Sequence, residues 1–124
     1  MNSQAGAINF TKGMPFSDGY FAGGTLYISG QQGPGPDGKL AGTDITVQTS
    51  NAIASIRKIV EEAGFVMSDV VSVTLYFTDL KDVPGINAVY KEEIPDPKPA
   101  RAAVQVAGLI GGARVEISAI AVKR

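Results

Sequence analysis

The residues of this chain that could carry out chemistry are limited to a few types. Its 124 residues include no histidine and no cysteine. The sequence therefore excludes serine–histidine triads, thiol nucleophiles, disulfides and metal sites built from histidine or thiolate ligands. Any reaction has to use carboxylates, arginine, lysine, tyrosine, hydroxyl groups, backbone groups or bound water.

Arg101 and Glu116 are the strongest candidates, each near the start of a predicted strand. The two strands, RAAVQVAG (101–108) and ARVEISAIAVKR (113–124), are joined by four residues, which is short enough for a hairpin. If helices cover the more apolar alternate residues of each strand, Arg101 and Glu116 share the uncovered side. Arginine can grip a carboxylate with two hydrogen bonds, and a glutamate can orient and activate water.

Two simpler interpretations of this pair remain open. Arg101 and Glu116 could pair only with each other, or both could be solvated. An arginine at the start of a strand can also lie on the surface with its aliphatic stem along the backbone.

The elements that would position the pair can be predicted from turn signals and periodicity. GYFAGGTLYISG (19–30) predicts two strands with a hairpin at Gly23-Gly24, and 31–42 is a loop rich in glycine and proline. A helix then begins at Thr43 or Asp44 and ends at Gly64. Its apolar residues start at Val47, and the later spacing predicts one buried stripe: Ala52, Ile53, Ile56, Ile59, Val60 and Ala63.

The second half of the chain predicts a strand, a helix and the two strands described above. In DVVSVTLYFTD (69–79) one alternate set is Val71, Val73, Leu75 and Phe77. The helix covers about Val83 to Glu93, with Ile86, Val89, Tyr90 and Ile94 on its apolar side, and PDPKP (95–99) ends it. The first dozen residues are polar and weakly patterned.

The order ββαβαββ predicts a single α+β domain over residues 1–124, with one sheet and both helices on one face. The second face of the sheet is only mildly polar, which favours a partner subunit there. The net charge of −1, with 11 basic and 12 acidic residues, gives no basic patch for nucleic acid. No apolar run is long enough for a membrane span, and the first residues lack a signal-peptide pattern, so we expect a cytoplasmic protein.

Three stretches resemble the RidA (YjgF) family of reactive-intermediate deaminases. They are PARAAVQVAGLIGGARVEISAIAVKR, LYISGQQG, and Asn87 within INAVYKEEI. The resemblance implies a chorismate-mutase-like fold and a homotrimer whose sheets form an inner β-barrel, with a pocket between subunits. It also implies hydrolysis of 2-imino or enamine acids, made by pyridoxal-phosphate enzymes, to 2-oxo acids and ammonia without metal or cofactor.

The resemblance also assigns roles to particular residues. Arg101 matches the arginine that grips the substrate carboxylate, and Glu116 matches the glutamate that holds the attacking water. Ser29 and Asn87 match pocket positions, and Gly30 allows close backbone approach to the ligand.

Three features depart from the family pattern. Ala103 stands where the family often has a cysteine, and Phe16 stands where it commonly has a tyrosine. The family mechanism needs no thiol nucleophile, so we expect the alanine to affect pocket shape and oxidation-linked behaviour more than catalysis. The phenylalanine removes a hydroxyl group, although Tyr20 and Tyr27 are in the neighbourhood. The loop 32–38 is rich in glycine and proline, and whether it acts as a lid is open.

Three alternatives to this function stay open. The trimer could bind small carboxylates or keto acids as a sensor or scavenger without turnover. The family's endoribonuclease or translation-inhibitor activity is less expected in a chain without histidine or a basic surface. A related deaminase acting on another enamine, such as an aminomuconate-type substrate, is the third.

Overall fold

The computed structural model describes residues 5–34 and 44–124. Within these ranges the strands are β1 (Ala5–Ile8), β2 (Gly19–Ala22), β3 (Thr25–Gln31), β4 (Val70–Phe77), β5 (Ala100–Gln105) and β6 (Val115–Val122). The helices are α1 (Ile45–Glu62) and α2 (Val83–Glu93). Short 3₁₀ turns lie at Met67–Asp69, Leu80–Asp82 and Ile110–Gly112.

The described strands form one mixed sheet in the order β1-β2-β3-β6-β4-β5. All neighbours are antiparallel except β4 and β5, which α2 connects as a crossover between parallel strands. The last strand, β6, lies inside the sheet between β3 and β4. The element that carries Glu116 is therefore paired on both of its edges.

Helix α1 covers one face of the sheet with the predicted stripe. Ala52, Ile53, Ile56, Ile59 and Val60 are buried against the strands, and Ile86 and Tyr90 of α2 join the same core. The Asp44 carboxylate caps α1 by accepting from Thr46 N at 2.8 Å, and Gly64 follows the helix with φ 81°. Thr43, the other predicted cap, lies outside the described residues, as does most of the loop 32–38.

Hydrogen bonds and an ion pair anchor the residue before β6 to α1 and to the turn that precedes α2. The side chain of Gln48, buried in α1, accepts a hydrogen bond from Arg114 N at 2.9 Å. The Arg114 guanidinium makes an ion pair with buried Asp82, including a 3.1 Å bond from Nε to Oδ2. These contacts fix the backbone two residues before Glu116.

Several predictions about the strands are wrong. β1 was not predicted, because its residues AGAI carry little pattern and the strand forms by pairing with β2. β5 and β6 do not form a hairpin, because β4 lies between them. Val71 is 40% exposed, because a register shift between β4 and β6 makes Val70 the buried residue.

The face of the sheet opposite the helices carries exposed apolar side chains. Tyr20 pairs with Tyr27, and Tyr27 pairs with Ile120, so the three lie side by side across β2, β3 and β6. Their exposed fractions are 49%, 52% and 36%. The predicted apolar second face is therefore present. No helix in the described ranges is both long and apolar enough to cross a bilayer.

The cap of α1 predicts a specific dependence of stability on pH. The hydrogen bond from the Thr46 hydroxyl lowers the pKa of Asp44 below its ordinary value. A carboxyl group with a lowered folded-state pKa stabilises the fold above its unfolded pKa of about 3.9, and this contribution is lost as pH falls through the folded value. Asp44→Asn should keep the cap and make stability depend less on pH in the acid range. Asp44→Ala should lower Tm at every pH.

Thermal unfolding of the three proteins between pH 2 and pH 7 measures this effect. An Asp44→Asn protein whose Tm falls with acid as steeply as the wild type would contradict it.

Candidate functional site

Glu116 lies on the face of β6 opposite the helices. Its neighbours Val115 and Ile117 are buried in the core, and Glu116 pairs with Tyr76 of β4 and is half-buried. The alternation of the strand therefore turns this carboxylate away from the core.

A bulge in β3 brings Gly30 against Glu116. Between Ile28 and Gln31, β3 carries one more residue than the facing stretch of β6. A Cβ atom added to Gly30 would overlap the Glu116 carboxylate, lying only 2.7 Å from Cδ. The absence of a side chain at Gly30 leaves the space that the carboxylate occupies.

The Glu116 carboxylate lines a cavity of about 450 Å³. Hydrogen bonds hold the wall of this cavity that residues 9–18 form. Buried Asp18 accepts from Phe10 N at 2.8 Å and from Thr11 N at 3.2 Å, and Ser29 Oγ donates to Ser17 O at 2.6 Å. The cavity is lined by Thr11, Met14, Phe16, Asp18, Ser29, Gly30, Gln31, Gln32, Ile110 and Glu116. A neighbouring concavity of about 510 Å³ in the same loop has no carboxylate and no arginine in its lining.

Gln32 is a cavity residue that the sequence reasoning missed. Its Nε2 donates to Glu116 Oε1 at 3.0 Å and to the Ile110 carbonyl at 2.8 Å. Only its position after the Ser29-Gly30-Gln31 step could have drawn attention to it.

Arg101 lies on the other side of the sheet from Glu116, which corrects the prediction that they share a face. Arg101 pairs with Val73, a core residue, whereas Glu116 pairs with Tyr76, which is three residues further along β4 and points to the opposite face. The Arg101 guanidinium carbon lies 4.8 Å from the centre of the Tyr90 ring of α2, on the helix side.

The parity prediction was wrong because β5 is an edge strand. All six of its residues are exposed, so the more apolar alternate set is not a covered set. Two strand spacings and a three-residue offset separate the Arg101 and Glu116 Cα atoms by about 14 Å. One chain therefore does not bring these two side chains together.

The predicted site residues fall into two groups. Phe16, Ser29, Gly30 and Glu116 form the Glu116 group around the cavity. Asn87, Arg101 and Ala103 form the Arg101 group at the β5 edge. Asn87 is exposed one helical turn before Tyr90, and Ala103 shares the face of Arg101 and pairs with Leu75.

The Tyr90 ring supports Arg101 from the core. Its side chain is 6% exposed, and among the described residues its hydroxyl has no hydrogen-bond partner. Burial raises the pKa of Tyr90, and the charge of Arg101 opposes this shift. The raised pKa favours the neutral phenol, and the ring face interacts with the guanidinium as a cation–π pair.

A match to a protein-family model shows which family the chain belongs to. Residues 9–123 match the family model described as Endoribonuclease L-PSP. The chain belongs to the YjgF/RidA family. This confirms the resemblance found in the sequence.

Individual relatives agree with this family. A RutC family protein from Pyrococcus abyssi is 40% identical over 110 residues, covering 88% of this chain and 87% of the relative. The 2-iminobutanoate/2-iminopropanoate deaminase of Capra hircus is also 40% identical over 110 residues, covering 88% and 80%. The crystal structure of E. coli TdcF with bound serine has a TM-score of 0.85 at 33% identity, covering 95% of this chain and 94% of that one. The mixed sheet with two helices is therefore the fold of this family.

The contact between Gly30 and Glu116 predicts a local effect of an added methyl group. Gly30→Ala should push the Glu116 carboxylate out of its place and break its hydrogen bond to Gln32, because the new Cβ overlaps it. Gly108→Ala is the matched control, since its added Cβ meets no atom within 4 Å. Crystal structures of both variants measure this, and an unmoved Glu116 in Gly30→Ala would show that the carboxylate does not need the space above Gly30.

The unpartnered hydroxyl of Tyr90 predicts an asymmetric pair of variants. Tyr90→Phe keeps the ring under Arg101 and should change the free energy of unfolding by no more than about 1 kcal/mol, with stabilisation the expected direction. Tyr90→Ala should cost about 3–5 kcal/mol, because it removes a buried aromatic side chain. Urea unfolding measures both values, and a loss above 2 kcal/mol in Tyr90→Phe would mean that the hydroxyl is satisfied.

Proposed function

We propose that this protein is a hydrolytic deaminase that converts 2-imino or enamine acids to 2-oxo acids and ammonia. The observation that carries the proposal is the Glu116 carboxylate, set beside Gly30 in a cavity large enough for a small substrate. Relatives at 36–40% identity named 2-iminobutanoate/2-iminopropanoate deaminase support this chemistry for the present chain.

The proposed reaction needs one water and no cofactor. Glu116 accepts a hydrogen bond from the water and takes its proton as the oxygen bonds to the imine carbon. The imine nitrogen receives that proton back from Glu116 and a second one from the hydroxyl group of the adduct. The carbon–nitrogen bond then breaks, and the carbonyl forms as ammonia leaves. The balance is R–C(=NH)–COO⁻ plus H₂O giving R–CO–COO⁻ plus NH₃. Because an imine carbon is already electrophilic, orientation supplies most of the acceleration.

Arg101 is proposed to complete the site from a second copy of the chain. Within one chain it points to the other face of the sheet, about 14 Å from Glu116 in Cα separation. It is exposed on an edge strand, and its rigid fork suits the carboxylate of a 2-imino acid. A homotrimer, packed through the apolar sheet face that carries Tyr20 and Tyr27, would place one copy's Arg101 group beside another's Glu116 group.

The replacements at Ala103 and Phe16 are compatible with this reaction. Neither a thiol nor a phenol takes part in the proposed steps. Phe16 is half-exposed at the cavity, and with Ile110 it makes part of the lining apolar. A small aliphatic substrate side chain fits such a wall.

A binding function without turnover is the second candidate. The serine bound in E. coli TdcF shows that a protein of this fold holds a small amino acid. The same Arg101 would hold a carboxylate ligand in either case, so only a rate measurement separates the two. RNA cleavage, which the description of the family model names, is not supported by a net charge of −1 and the absence of histidine.

The first test couples a pyridoxal-phosphate dehydratase to the purified protein and follows 2-oxo acid release. Arg101→Ala should keep the assembly and lower imine hydrolysis by at least about 100-fold, because substrate positioning is lost. Glu116→Gln should slow turnover while keeping 2-oxo acid binding, and Glu62→Gln, an exposed change on α1, is its control. No acceleration by the wild type beside measurable 2-oxo acid affinity would favour the binding function.

A complementation test asks whether the site is shared between copies. Arg101→Ala and Glu116→Gln chains, each expected to be strongly slowed alone, are unfolded together and refolded at equal amounts. Random ring assembly should give about a quarter of the interfaces an intact Arg101 and an intact Glu116, and so about a quarter of wild-type activity. Mixed assemblies without regained activity would place both residues of each site in the same chain.

A further inference from the structure

Gln32 joins the Glu116 carboxylate to the turn that precedes β6. The residue follows β3 directly and is half-buried. Its single amide nitrogen donates to Glu116 Oε1 at 3.0 Å and to the Ile110 carbonyl at 2.8 Å. An amide nitrogen carries two N–H groups, so both are engaged by acceptors from separate segments.

The chemistry of the two partners fixes the orientation of this amide. An ionised carboxylate and a backbone carbonyl are both acceptors only. If the amide were turned over, its oxygen would face two other acceptor oxygens, and both hydrogen bonds would become repulsions. The nitrogen of Gln32 therefore faces Glu116. The hydrogen bond that it donates has a charged acceptor, which makes it stronger than a bond between two neutral groups.

The two oxygens of the Glu116 carboxylate have different neighbours. Oε2 lies over Gly30, where no Cβ intervenes, and Oε1 accepts from Gln32. A glutamate side chain has three rotatable bonds and would otherwise sample several rotamers at a half-exposed position. The Gly30 contact limits the position of the carboxylate, and the Gln32 bond selects its rotation.

We propose that Gln32 is a positioning residue for the deaminase reaction, acting through Glu116 by fixing the rotation of the carboxylate toward the attacking water. The inference rests on the proposed function. It also gives Gln32 a second effect, because the same nitrogen holds the carbonyl of Ile110. The Ile110 side chain is 89% exposed and borders the cavity, so Gln32 fixes the wall as well as the carboxylate.

Two nearly isosteric substitutions separate this role from simple packing. Gln32→Met keeps the length of the side chain and removes both donors. We expect kcat for imine hydrolysis to fall by about tenfold or more with KM changed less than about threefold, because positioning of the water is lost. In a Glu116→Gln background, Gln32→Met should add little further loss, since it acts through the same carboxylate.

Gln32→Glu supplies the readout that a structural role would not move. It places a second carboxylate about 3 Å from Glu116, so the two groups share a proton and their apparent pKa values separate. The acid limb of the pH–rate profile should move upward by about one unit or more, and activity should recover at higher pH as both groups ionise. The wild-type profile measured in parallel is the reference.

The failures of the two proposals are distinguishable. A wild type that does not accelerate imine hydrolysis overturns the proposed function. A wild type that does, beside Gln32→Met with full kcat or Gln32→Glu with an unmoved acid limb, overturns only the role of Gln32.

Crystal structures of Gln32→Met give an answer that does not depend on activity. Glu116 is expected to leave its place over Gly30 or to occupy more than one rotamer, and the turn at Ile110 is expected to shift. A single, unchanged Glu116 conformer would overturn the inference. Thermal unfolding confirms that each variant is folded before it is compared.

Discussion

The alternation of side chains along β6 ties the position of Glu116 to the packing of the core. The strand is paired on both edges, and its alternate residues Val115, Ile117, Ala119 and Ala121 are buried against the helices. Glu116 must therefore face the other way. A slip of one residue would bury an unpaired carboxylate in the core and expose the apolar set, at a cost of several kcal/mol. Core packing thus determines the side of the sheet on which the carboxylate lies.

The elements that the sequence predicted well are those whose pattern and burial agree. The α1 stripe, the limits of α2 and the buried face of β6 all come from local periodicity, which the core then uses directly. The strand β5 shows where such reasoning ends. Its alternate apolar residues do not identify a buried face, because all six residues of the strand are exposed. Its position beside β4 depends on the crossover through α2.

The family resemblance supplied site residues that periodicity could not, but it did not supply their arrangement. Ser29 and Gly30 were found by matching, whereas the bulge that carries them toward Glu116 depends on the register of β3 against β6. Gln32 was missed for the same reason. Its two hydrogen bonds join residues 78 and 84 positions away in the chain, and no local pattern encodes contacts of that range.

The division of the candidate residues between two sheet faces bears directly on assembly. A single sheet cannot direct Arg101 and Glu116 into one pocket, because the two side chains lie on its opposite faces and β4 separates their strands. In the trimer of the proposed function, a second copy would remove this restriction by offering its edge strand to the first copy's open face. On the proposed function, catalysis and assembly then depend on the same exposed features. This gives a physical reason for the chain to keep a fully exposed strand and adjacent tyrosines in water, where each alone would favour non-specific association.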